Sequence, residues 1–386
     1  MTVSHWQADG TQPVEEVDLL IVGAGLVGCA AAYFAAQALP HGALIVITEA
    51  RDLALGASGR NAGFMITGLD AYYHHAINHY GHAVTREVYA MSEQTHAYWR
   101  GFIRDSQGSV PIDECGSLLL AESPEEAQEL RAAIKAMHAD GIRAEFIDGD
   151  PLGRGYFGAI SQPWDAAVQP VKLAQAVFAR SGVELVANNE LYGLTQDGAD
   201  VIAATRKTIF RARHVLLCTN AYSPYVDPYF AGKVIPTRAQ VLVTAPLEAP
   251  VINACGYSDY GYMYYRMTFD NRLLIGGGRK QNKPLENDTS DDRVNDPVQR
   301  VLDDYLRTRF PDVTAPVERR WAGIMGFTPD GLPLVGTLPD KPSVGFAVGF
   351  NGHGLALGAA TAERAVDHLL NGTHAGAVNA QRFFNT

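Results

Sequence analysis

Val17-Asp18-Leu19-Leu20-Ile21-Val22-Gly23-Ala24-Gly25-Leu26-Val27-Gly28 decides how this chain folds. The apolar run 17–22 reads as a buried strand. The glycines after it read as a tight turn, and the small residues over 29–38 as a closely packed helix. A second strand is predicted over 43–48, and it ends at Glu49, 21 residues beyond Gly28. Strand, Gly-x-Gly-x-x-Gly turn, helix and acidic residue in this register form a dinucleotide-binding fingerprint. Gly23, Gly25 and Gly28 let the backbone approach a pyrophosphate, and the helix N-terminus offers N–H groups and a partial positive charge. Glu49 suits ribose hydroxyls and disfavours a 2′-phosphate, so FAD or NAD fits better than NADP. Ala50 and Arg51 belong to the same adenosine side.

Working outward, 386 residues are too many for one small domain. Lys plus Arg is 31 against 42 Asp plus Glu, a net charge of −11, and no basic stripe is present. Nucleic-acid binding needs clustered cations and is excluded. Cys29, Cys115, Cys218 and Cys255 are scattered and form no CxxC pair, which argues against zinc, a redox dithiol or a disulfide framework. A reducing, cytoplasmic location is expected. The N-terminus lacks the pattern of a signal peptide, residues 1–14 are polar and expected to be loose, and no membrane span is expected. His75, His79 and His82 have helical spacing but no HExxH and no carboxylate partner, so no metal is expected.

Along the chain, a Gly-rich loop at 56–64 is followed by helical stretches over 72–106 and a strand over 115–121. Ser123-Pro124-Glu125-Glu126 starts a helix expected to end at Gly141. A helix over 171–180 and a strand over 184–187 come next, then a meander of strands at 192–197, 201–205 and 208–211. A separate strand is expected over 214–221, strand-rich sequence over 234–275, a helix over 291–310, a strand over 345–349 and a helix over 355–370.

Several further motifs occur in one order. Ala57-Ser58-Gly59-Arg60-Asn61-Ala62-Gly63 is followed by Thr219-Asn220-Ala221-Tyr222-Ser223 and Pro236-Thr237-Arg238-Ala239-Gln240. Next come the stretch 321–336 with its Thr328-Pro329-Asp330, and the turn Gly349-Phe350-Asn351-Gly352-His353-Gly354. With the first fingerprint, this series resembles the FAD-dependent amine and D-amino-acid oxidase family, which includes glycine, sarcosine and γ-glutamylputrescine oxidases and D-amino-acid dehydrogenases. The resemblance implies an α/β fold, a Rossmann-type FAD-binding domain (15–90, 151–228, 320–386) interleaved with a strand-rich antiparallel substrate domain (91–150, 229–319). It implies FAD beside Ser58, Gly59, Arg60, Asn61, Ala62, Gly63, Thr219, Asn220, Gly323, Gly349, Asn351, Gly352, His353 and Gly354. A helix starting near Gly354 would aim its N-terminus at the flavin and stabilise its reduced form. Some relatives attach FAD through a Cys where this chain has Gly323, so the cofactor is expected to be noncovalent.

The inserted domain should build the substrate pocket. Period two places Tyr262, Tyr264 and Arg266 on one strand face and Met263, Tyr265 and Met267 on the other. Tyr264, Tyr265, Arg266 and His353 are the expected catalytic group: tyrosines to cage an amine, Arg266 to pair a carboxylate. The family's carboxylate-binding Arg has its counterpart at Met325, so Arg266, Arg320 or Arg60 would take that task, or the substrate has no α-carboxylate. Its oxygen-activating Lys falls near Leu274, which leaves oxygen or another electron acceptor open, with Arg279 or Lys280 as substitutes. The expected reaction is oxidation of the C–N bond of an amine or amino acid by hydride transfer to flavin N5. A 2-hydroxy-acid dehydrogenase with His353 as base, and a flavin-carrying subunit of an electron-transfer complex, are the rival readings.

Overall fold

In the computed structural model, which describes residues 12–383, the strand Val14–Val22 lies parallel between Ile45–Thr48 and Ile209–Leu217. The loose segment expected over 1–14 lies, up to residue 11, outside the described residues, and Val14 already belongs to the sheet. Leu19, Leu20 and Ile21 are fully buried. Strands covered on both faces read as continuous apolar runs, and each such side chain contributes roughly 1.5–3 kcal/mol.

Glu184–Val186 extends the parallel order beyond Ile45–Thr48. On the other side, Ile209–Leu217 has two successive partners. Its first half pairs antiparallel with Asp200–Thr205, which pairs with Leu191–Asp197. Its second half pairs parallel with Lys341–Val348, which continues to Leu334–Leu338. One strand thus replaces the two expected over 208–211 and 214–221. Arg213 is exposed and reaches Asp18, while Val215, Leu216 and Leu217 are buried on both faces. The change of pattern within one strand looked like an interruption.

Helix Leu26–Ala38 packs on this sheet against Gly354–Asn371 and Pro170–Ser181. Ala31, Ala35, Ala359 and Ala362 share its core, and small side chains let the helix axes come close. The helical region expected over 72–106 is two helices, Tyr73–Tyr80 and His82–Asp105, separated at Gly81 with φ +82°. His75 therefore meets Glu129 and His82 meets Asp140, so the three histidines share no face; His74 joins His75 on Glu129 instead. Ser123 Oγ caps Pro124–Ala139 by accepting from Glu126 N. The helix expected from 291 begins at Asp296, capped by Asn295.

The second sheet has eight strands in the spatial order Val317–Phe327, Ile235–Thr244, Leu273–Gly277, Met263–Met267, Cys255–Ser258, Ser117–Leu120, Gly158–Gln162 and Glu145–Asp148. All its pairings are antiparallel except Cys255–Ser258 with Ser117–Leu120. Interleaving is as expected, but three boundaries move. A break at 90/91 cuts helix His82–Asp105, whose Trp99 is buried in the first core and donates to Leu355 O at 2.7 Å. A break at 319/320 cuts strand Val317–Phe327, and Gly158–Gln162 belongs to the second sheet. Nor are the cysteines all scattered: Cys115 and Cys255 are free thiols whose Sγ atoms lie 3.9 Å apart. No helix among the described residues is long and apolar enough to cross a membrane.

Candidate active site

The carboxyl ends of Val14–Val22, Ile45–Thr48 and Ile209–Leu217 open onto one elongated cavity of about 970 Å³. Ligands of open α/β sheets bind at this edge. Gly23, Gly25, Glu49, Ala50, Arg51, Ser58, Thr219 and Asn220 line it. Glu49 accepts from Ala24 N and from Arg51 N, both at 2.9 Å, so its carboxylate clamps the glycine turn to the end of the second strand. Ser58 Oγ accepts from Leu26 N at 2.8 Å and joins the Gly-rich loop to the first helix. No acidic side chain occupies that helix's first turn.

A dinucleotide fits these residues. A Cβ on Gly25 would stand 2.8 Å from Ser58 Oγ, and one on Gly23 2.8 Å from Cys218 O, so the cradle depends on bare backbone. The Arg51 guanidinium lines the cavity with no hydrogen bond or ion pair among the described residues. Gly28, Gly59, Gly63 and Gly349 do not line the cavity and are corrected from contacts to supports. A Cβ on Gly28 would fall 1.9 Å from Gly23 O, and one on Gly63 2.2 Å from Val168 O. These glycines let the walls pack.

Polar side chains shape the rest of the wall. Asn61 Nδ2 donates to Ala57 O and Ser58 O, and its Oδ1 accepts from Gly63 N. Arg60 lines the cavity, pairs with Asp292 and donates to Ala322 O, while its own carbonyl accepts from Trp321 Nε1. Asn220 Oδ1 accepts from Gly349 N at 3.0 Å, and Asn351 Oδ1 from Thr328 N at 2.8 Å. These two asparagines, both with positive φ, staple the closing turn to its neighbours. Ala62, Gly323, Asn351, Gly352, His353 and Gly354 all line the cavity. His353 Nδ1 lies 3.0 Å from Asn351 O. A carbonyl only accepts, so Nδ1–H donates this bond, and in the neutral tautomer that does so the lone pair lies at Nε2.

The second sheet supplies the remaining wall, and the expected alternation holds there in part. Tyr262 and Tyr264 line the cavity, joined by Tyr257 from the next strand. Tyr264 faces Gly276 across the strand pair, where a Cβ would lie 2.1 Å from its ring. The Gly-rich strand is what seats this tyrosine.

Two expectations fail. Tyr265 points to the opposite side: it is fully buried, packs on Phe310, and donates to Tyr156 Oη at 2.5 Å in a chain through Tyr305 and Ser258 to Glu122. Arg266 shares the face of Tyr264 but lies farther along the strand, 5% exposed and off the cavity. Its Nε and Nη1 have no hydrogen-bond partner, its guanidinium lies 5.1 Å from the centre of the Phe269 ring, and burial pulls its pKa down despite nearby Cys255, Cys115 and Asp113. Arg320 pairs with Asp303, and Lys280 is tied to Asp259.

The Pro-x-Arg and Thr-Pro-Asp motifs are structural here. Arg238 and Gln240 both donate to the fully buried Glu286, and Asp330 holds Arg382. Sequence reading missed Asp70 entirely, because no motif marks it. It lines the cavity together with Met325, Phe327 and Arg279. Asp70 itself is exposed to the cavity; desolvation by the surrounding walls pushes its carboxyl above its ordinary range, while His353 and Arg279 pull it back.

Known proteins share the family and the fold of this chain. The profile of a family described as FAD dependent oxidoreductase matches residues 18–368. The chain is similar to gamma-glutamylputrescine oxidoreductase of Escherichia coli (strain K12), 27% identical over 389 residues, covering 95% of this chain and 85% of that one. It is also similar to glycine oxidase of Bacillus subtilis (strain 168), 22% identical, covering 92% and 93%. Among solved structures, L-proline dehydrogenase from P. horikoshii has the same fold with a TM-score of 0.81 at 20% identity, covering 97% and 99%. With the matched profile spanning the fingerprint, the Gly-rich loop and the closing turn, the chain belongs to the FAD-dependent oxidoreductase family.

Proposed function

We propose that this enzyme oxidises the C–N bond of an amine or amino acid to an imine, which water then hydrolyses. The observation that carries this reading is one continuous cavity joining the dinucleotide cradle to a chamber walled by Tyr257, Tyr262, Tyr264 and Phe327. When bound, FAD supplies the hydride acceptor at N5. The chain's own residues bind, orient and desolvate. Aromatic rings exclude water and attract a cationic nitrogen. His353 holds the Nε2 lone pair ready for the proton that leaves the substrate. Helix Gly354–Asn371, with no acidic residue in its first turn, directs its positive end at the cavity, where negative charge accumulates on reduction. Gly323 offers no thiol, so FAD is held noncovalently and acid precipitation should release all of it.

The fixed Nε2 lone pair also suits abstraction of a hydroxyl proton, and this favours 2-hydroxy-acid oxidation as a second reading. An anaerobic titration of the holoenzyme separates them. Bleaching of the flavin band by amines or amino acids supports C–N oxidation, and bleaching by hydroxy acids alone overturns it. Recovery in air then separates oxygen from another acceptor: fast return marks an oxidase, slow return a dehydrogenase.

A further inference from the structure

Two of the four cysteines are inert by burial, which pushes the Cys29 thiol up to about 12 and raises that of Cys218 as well. Cys115 and Cys255 differ. They stand 140 residues apart in sequence, yet their Sγ atoms lie 3.9 Å from each other. Strand Cys255–Ser258 pairs with Ser117–Leu120, and Cys255 N donates to Gly116 O at 2.9 Å, which fixes the two residues side by side. Cys255 is fully buried, and Cys115 is only half-buried. Phe64, Tyr257 and Tyr264 pack on Cys255 and also line the cavity, so the thiols lie behind the aromatic wall of the chamber.

Arg266 is an independent observation at the same place. It is 5% exposed, and among the described residues its guanidinium makes no hydrogen bond or ion pair. The Phe269 ring at 5.1 Å does not neutralise it. A buried cation without an anion is costly. Two neutral thiols packed as small apolar groups supply no anion, whereas a thiolate does. Hydrogen bonding to Cys255 draws the Cys115 pKa down, and Arg266 adds to this, against burial and Asp113. The same hydrogen bond, with burial, raises the Cys255 pKa, although Arg266 opposes it and Asp165 adds to the rise. Cys115 is thus the sulfur suited to lose its proton and Cys255 the one suited to keep it.

We propose that Cys115 and Cys255 form a modification site, a dithiol that hydrogen peroxide oxidises to a disulfide, with Arg266 as the positioning residue that holds the Cys115 thiolate. The thiolate attacks one peroxide oxygen: an S–O bond forms, the O–O bond breaks, and hydroxide leaves. Cys255 Sγ then attacks the Cys115 sulfur. The S–S bond forms, the S–O bond breaks, and the departing hydroxide takes the Cys255 proton and leaves as water. The two sulfurs together lose two electrons and the peroxide gains them; a dithiol reductant reverses the bond by exchange. No CxxC spacing marks the pair, because it is assembled across two strands.

The test treats the FAD-loaded holoenzyme with hydrogen peroxide, blocks remaining thiols with N-ethylmaleimide in denaturant, and maps the peptides by mass spectrometry. The wild type should yield a Cys115–Cys255 linked peptide that dithiothreitol removes, with Cys29 and Cys218 still reduced. Cys255→Ser should leave Cys115 as a sulfenic acid trapped by dimedone, and Cys115→Ser should leave Cys255 unoxidised. Arg266→Met should slow linkage at neutral pH by roughly 3–10-fold and move the midpoint of Cys115 alkylation to higher pH. Arg266→Lys should restore both. FAD content and Tm establish that the variants are folded. No linked peptide in the wild type, or oxidation of Cys29 and Cys218 as fast as of Cys115, overturns the site. Dimedone capture at Cys255 in Cys115→Ser overturns the order of attack. An unmoved alkylation midpoint in Arg266→Met overturns the role of Arg266.

Discussion

Glu49 gives the clearest residue-scale case. Its two oxygens accept from Ala24 N and Arg51 N, so one carboxylate orders the glycine turn while facing the cavity. Hydrogen bonds to a charged group contribute about 1.5–3 kcal/mol each. Glu49→Ala should therefore weaken FAD binding by about 10–100-fold, read by flavin fluorescence on titrating the apoprotein; an unchanged Kd would assign Glu49 to the turn alone. Tyr265 gives the contrasting case. It adjoins Tyr264 in sequence, but its hydroxyl ends in the Tyr156–Tyr305 chain on the far side of the sheet. Tyr265→Phe should lower stability by about 1 kcal/mol and leave KM unchanged, whereas Tyr264→Phe, at the cavity wall, should alter kinetics. A raised KM in Tyr265→Phe would contradict this placement.

Among the elements, helix His82–Asp105 carries an acid-sensitive group into the core. His96 is buried, and burial, with Arg100 nearby, pushes its pKa down to about 4. The folded chain thus keeps His96 neutral where the unfolded chain takes up a proton. Stability from this source is complete above about pH 6.5 and is lost as pH falls towards 4, by roughly 3 kcal/mol at most. Asp165, held up at about 6 by burial, has the opposite sign: the folded chain gains a proton first as pH drops through 6. The two slopes offset each other between pH 6 and 4. His96→Gln should remove only the histidine slope, so its urea midpoint should fall less than that of the wild type between pH 7 and 4.5. Equal falls would mean that His96 is not held neutral. Elements with their own caps were legible from sequence, as Ser123-Pro124 and the Gly182 stop illustrate. Strand Ile209–Leu217 was not, because half of it is amphipathic and half buried on both faces.

For the whole molecule, the cavity lies between the two sheets, walled by strand ends of one and strand faces of the other. A ligand at 100 times its Kd stabilises by about 2.7 kcal/mol. Loading the apoprotein with FAD should accordingly raise Tm by several degrees, and a flat melting profile against FAD concentration would show that the cradle does not bind it. Gly-x-Gly-x-x-Gly, its strand and Glu49 were readable because their chemistry is local: a turn, a helix end and a carboxylate close in sequence. The alternation of Tyr262 and Tyr264 was readable too, since period two is a property of the strand alone. Which face meets the cavity, and how far along it the site extends, belongs to the packing of distant segments. That packing sends Tyr265 and Arg266 out of the site. It brings Asp70, more than 200 residues away in sequence, to the same chamber as Arg279 and His353, and it sets Cys115 beside Cys255. Short-range stereochemistry was enough to identify the nucleotide fold; the wall that Asp70, Arg279 and His353 share exists only once two sheets have closed on one cavity.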